Sequence, residues 1–169
     1  MYVLLSRVQA VVPHRMSWND GMRHQEVRSS TPDVAMTAQQ FRIVFQVTKE
    51  FGNIPEERLA AAGIPPHCSV DVLELARDIR KSVAVGPVDV RIVSPDFPDG
   101  RTLRVSGPAG AGDGTEARRE FPAATARCWR PLIGLAVESL GAEELWFRTG
   151  YSGDEVDSAS ALLDGLFAI

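Results

Sequence analysis

The chain has 169 residues, of which 44% are hydrophobic, enough for one domain with a single buried core. Its net charge of -4 argues against a binder of double-stranded nucleic acid, which would concentrate Lys and Arg against phosphates, and against adsorption to anionic membranes. Its two cysteines, Cys68 and Cys128, lack the density of a disulfide-stapled secreted domain, and no Cys/His spacing resembles a zinc site, so no cofactor is expected.

Residues 1–40 differ from the rest. Met16, Trp18, Met22, His24 and Met36 stand among Pro13, Asn19, Gly21, Ser29, Ser30 and Pro32 with no sustained period, so the segment reads as an N-terminal extension. One strand is expected in it, at Tyr2 to Val12, where Val3, Leu5 and Val11 alternate. Composition alone does not choose between an extension that packs on its own domain and one that stays disordered. The apolar run Val3 to Leu5 ends at Arg7, too short for a signal-peptide core or a membrane span, which makes a cytoplasmic setting the expectation.

Residues 41–169 read as one α+β domain. Phe41, Ile43, Phe45 and Val47 alternate with Arg42, Val44, Gln46 and Thr48, the period of a half-buried strand. Pro55 then opens a short helix carrying Glu56 and Glu57 in its first turn, and Gly63 ends it. Ser69 is the expected N-cap of a longer helix along Val70, Val72, Leu73, Leu75, Ala76, Ile79 and Val83.

A hairpin is expected next. Val88, Val90 and Ile92 alternate with Asp89, Arg91 and Val93, the turn-rich stretch Pro95 to Gly100 follows, and Leu103 and Val105 face inward opposite Thr102 and Arg104. After a glycine-rich loop, the stripe Ala126, Trp129, Ile133, Ala136, Val137 and Leu140 predicts a helix over 122–140, bent or divided at Pro131. Leu145 and Phe147 against Trp146 and Arg148 predict a strand, and a last helix begins near Gly153. This order, βαββαβ plus a terminal helix, predicts a ferredoxin-like two-layer sandwich.

Candidate chemistry follows from that layout. If the helices cover one sheet face, the other collects Arg42, Arg91, Arg104, Trp146 and Arg148, with Tyr151 near its rim. Arginine suits bidentate capture of carboxylate or phosphate, although the same side chains also serve simply to solvate a wet sheet or to pair with Asp154, Glu155, Asp157 and Asp164.

The loop Gly107 to Gly114 follows a strand and precedes a helix, as phosphate loops do. It lacks their Lys-Ser/Thr ending and carries Asp113 and Glu116, so a flexible connection is the plainer reading. Cys68 beside His67 invites a nucleophile-base reading, but neighbours on an extended chain point apart, and a lone cysteine is usually a small buried hydrophobe.

Without a metal site, cofactor loop or nucleophile-base pair, the leading expectation is a non-enzymatic binding or interaction protein of bacterial type. Its Arg-rich open sheet face would hold an anionic small molecule or an acidic protein partner, or would self-associate as a homodimer. The alternative is a cofactor-independent enzyme of small-molecule metabolism with a pocket lined by Arg91, Arg104, Trp146 and Tyr151. Single-stranded nucleic acid is disfavoured, because that mode stacks bases on several aromatics and only Trp146 is on offer.

Overall fold

The computed structural model describes residues 34–94, 100–107 and 119–166. The expected strand at Tyr2 to Val12, the turn 95–99 and nearly all of the glycine-rich loop lie outside them.

A four-stranded sheet has the order β1-β3-β2-β4, formed by β1 (Val34–Thr37), β2 (Val88–Val93), β3 (Thr102–Ser106) and β4 (Arg119–Pro122). The β2-β3 pair is antiparallel, as the hairpin reading requires, while β1 runs parallel to β3 and β4 parallel to β2. Period-two alternation sets the register. Val34 and Val90 flank Leu103, Met36 and Val88 flank Val105, and Ile92 meets Phe121, so one sheet face is continuously apolar.

Helices α1 (Ala38–Thr48), α2 (Glu56–Ala61), α3 (His67–Val83), α4 (Ala123–Thr149) and α5 (Gly153–Ser160) build the second layer, joined by 3-10 segments at Lys49–Asn53 and Ala161–Leu166. Phe41, Val44 and Val47 of α1, Val72, Ala76 and Ile79 of α3, Trp129, Leu132 and Ile133 of α4, and Val156 and Ala159 of α5 form one buried cluster with the inner strand residues. Trp129 is fully buried, and its indole N–H donates to Thr48 Oγ1 at 2.9 Å.

The mixed α+β class is as expected, but the sequence reading misassigned several elements, and the strands do not take the ferredoxin-like order. Residues 41–48 are helical rather than a strand. Phe41, Val44 and Thr48 fall at i, i+3 and i+7 on a buried helix face, and Thr37 and Gln40 start the helix with a reciprocal capping box.

Residues 145–148 are likewise helical. Leu145 and Thr149 are buried one turn apart, and Glu144 pairs with Arg148 at 2.5 Å in the i, i+4 geometry of a helix. Phe147, expected in the core with Phe41 and Leu145, is 79% exposed.

The kink in α4 lies at Gly141, not at Pro131. Gly141 has φ 74 and ψ 169, open only to glycine, whereas Pro131 withholds one helical hydrogen bond and the helix continues past it. Helix α3 begins at His67 after the Pro65-Pro66 pair, so Ser69 is inside the first turn, where its Oγ donates to the Pro66 carbonyl instead of capping. The two strands absent from the sequence reading are β1 and β4.

Candidate functional site

The helices pack against the inner face, and among the described residues no element covers the outer one. Alternation along the strands assigns that outer face to Ala35 and Thr37 of β1, Thr102, Arg104 and Ser106 of β3, Asp89, Arg91 and Val93 of β2, and Glu120 and Pro122 of β4. Most of these side chains are exposed; Arg91 and Thr102 are half-buried, and Asp89 is buried.

Asp89 and Arg104 are direct cross-strand partners, and Arg104 Nε donates to Asp89 Oδ1 at 2.9 Å. This pair is unequal in burial, with the Asp89 side chain 7% and the Arg104 side chain 51% exposed. Arg104 thus pairs with a carboxylate that the fold has taken from water.

Arg91 is held differently. It stands opposite Thr102 and beside Glu120 in the register, and its guanidinium lies against the backbone of Gly100, where an added Cβ would meet Arg91 Nε at 2.5 Å. Glycine there, at φ 50, leaves the space the guanidinium occupies. Among the described residues Arg91 forms no ion pair.

The other expected site residues lie elsewhere. Arg42 is exposed on α1, Trp146 and Arg148 are on the last turns of α4, and Tyr151 follows that helix, half-buried against the core. Arg148 is bound by Glu144 and by Glu50 at 3.4 Å, and the Glu144 hydrogen bond makes its guanidinium hold its proton more firmly still. The structure therefore brings together Arg91 and Arg104 and separates them from Arg42, Trp146, Arg148 and Tyr151, which a strand reading of 41–48 and 145–148 had placed on the same face. Asp157 of α5 and Asp164 of the 3-10 segment after it pair with Arg130 rather than with a sheet arginine.

A shallow groove of about 310 Å³ opens between α1 and α5, lined by Gln40, Ile43, Asp154, Glu155, Ser158 and Ala159. It belongs to the helical layer, and two of its polar groups are engaged locally. The Gln40 side chain accepts from the Thr37 N–H, and the Glu155 carboxylate accepts from Ser152, which holds it below the usual carboxylate range.

No His67-Cys68 pair forms. His67 is exposed, while Cys68 is buried with its Sγ 3.1 Å from Cys128 Sγ, a contact between helices that no local sequence signal announces. Among the described residues no group of three His, Cys, Asp or Glu side chains is arranged to hold a metal ion, and no helix is long and apolar enough to cross a membrane. No protein family, curated protein or solved structure matches this chain.

Proposed function

We propose that this protein is a non-enzymatic interaction module whose open sheet face binds a carboxylate-rich segment of an acidic protein partner, with Arg91 as its principal anchor and Arg104 as the adjacent cation. One observation carries the reading. The apolar sheet face is fully covered by helices, and the opposite face presents a half-buried arginine without an ion-pair partner among the described residues, oriented by Gly100. The planar guanidinium fork donates to both oxygens of a carboxylate at once. Thr102, directly opposite Arg91 on the neighbouring strand, adds a hydrogen-bonding group alongside it. Among the described residues no cavity opens on this face, which suits a protein segment better than a small molecule that needs a concave site. A chain with only two cysteines fits the reducing setting of a cytoplasm, where we place the protein.

Fluorescence anisotropy with a labelled decaglutamate peptide tests this. Binding should weaken with added salt, and Arg91→Glu should weaken it at least about tenfold, the loss of one charge-assisted pair, while Arg148→Glu leaves it unchanged. Equal losses from the two variants would refute the assignment to the sheet face, and absence of binding would refute the acidic partner.

A further inference from the structure

Cys68 and Cys128 are the only cysteines of the chain, 60 residues apart in sequence, and the packing of α3 on α4 brings them together. Cys68 is buried in the first turn of α3, and Cys128 is half-buried in the second turn of α4, where its thiol also reaches the Ala124 carbonyl at 3.4 Å. Their sulfurs are 3.1 Å apart and both are reduced. A disulfide needs about 2.05 Å between sulfurs, so closure asks the pair to approach by roughly 1 Å, a movement of side chains rather than of helices. No metal-binding set surrounds them among the described residues, and the charged group acting on Cys128 is the Asp71 carboxylate of α3, which also disfavours its thiolate.

We propose that Cys68 and Cys128 form a reversible redox pair, closed by a peroxide into an intramolecular disulfide that ties the start of α3 to α4 and reopened by reducing thiols. One sulfur, as its thiolate, attacks a peroxide oxygen; the O–O bond breaks, hydroxide leaves and a sulfenic acid forms. The second sulfur then attacks the first, and the displaced hydroxide leaves with its proton as water. Two thiols lose two electrons and two protons, and one hydrogen peroxide becomes two waters. A dithiol reverses the change by exchange, becoming a disulfide itself.

Three features make this a responsive pair rather than a standing bridge. The sulfurs meet across two separate helices, so the bond links elements that local sequence does not. The half-buried position of Cys128 gives a small oxidant access that the buried Cys68 alone would lack. Burial, and then its hydrogen bond to Cys68, push the Cys128 thiol up to about 12, so Cys128 keeps its proton near neutrality and reacts faster as pH rises. The loop that the bond would close contains β2, β3 and β4, and hence both arginines of the open face.

The test uses the reduced full-length chain, exposed to hydrogen peroxide at pH 7 and pH 9, then alkylated, digested without reductant and read by mass spectrometry. The expected product is a monomer whose Cys68 and Cys128 peptides are joined, formed faster at pH 9, cleaved by dithiothreitol, and with a thermal midpoint raised by roughly 5–15 °C, as for a disulfide closing a long loop. Cys68→Ser and Cys128→Ser should each abolish the joined peptide. Recovery of both cysteines as separate alkylated or sulfinic peptides would overturn the proposal. So would disulfides found only between molecules.

Discussion

The Thr48 hydroxyl serves two buried groups at once: it accepts from the Trp129 indole at 2.9 Å and donates to the Val44 carbonyl at 2.8 Å. Valine has nearly the same shape but no acceptor, so Thr48→Val strands the indole N–H in the core. Unfolding in urea should show a loss of about 1–3 kcal/mol, the usual cost of a buried donor left unmade. The sheet arginines separate by the same logic. Arg104→Ala abandons the buried Asp89 carboxylate and should cost about 1–3 kcal/mol, the half-exposure of Arg104 keeping the loss below that of a fully buried pair. Arg91→Ala strands no acid and should stay within about 0.5 kcal/mol in the same assay. Equal costs at the two positions would mean that Arg91 is a structural residue rather than one kept available for a ligand.

At the scale of elements, Gly141 divides α4 into two helices that bury different stripes, Ala126 to Ala136 before it and Leu145 with Thr149 after it. Gly141→Ala forces a backbone that side chains avoid and should lower stability by about 1–3 kcal/mol in thermal melts, although the added Cβ meets nothing within 4 Å beyond its own stretch of helix backbone. That phase change also explains why 145–148 reads as a strand. After the break only Leu145 and Thr149 point inward, too few positions to display a helical period, and the run Leu145-Trp146-Phe147 resembles alternation. Over 41–48 two periods fit the same residues, because Ile43 and Phe45 are half-buried while Phe41, Val44 and Val47 are the core positions. The deciding signal was Thr37-Ala-Gln-Gln40, a capping-box pattern just before the run. Strands β2 and β3 were legible because their alternation is backed by a turn-rich connection, and α2, α3 and α5 because prolines, a capping box and a clear stripe coincide. β1 and β4 are four residues each, and β4 carries one buried residue, Phe121, so neither has a pattern long enough to detect.

For the whole molecule, the two features that carry chemistry depend on topology to different degrees. The pairing of Arg91 and Arg104 on one face follows from period two in adjacent strands, and was readable. The exclusion of Arg42, Trp146 and Arg148 from that face was not, because it turns on whether two short segments are strands or helices. The meeting of Cys68 with Cys128 depends on how α3 packs against α4, which no local pattern encodes. The central claim is that the open sheet face is where an acidic segment binds, and the most direct measurement is the location of a bound peptide. A decaglutamate peptide carrying a nitroxide spin label, titrated into the isotope-labelled chain, should broaden the amide signals of Arg91, Thr102 and Arg104 while leaving those of Arg42 and Arg148 sharp. Broadening centred on the end of α4, or spread evenly over the surface, would contradict the account.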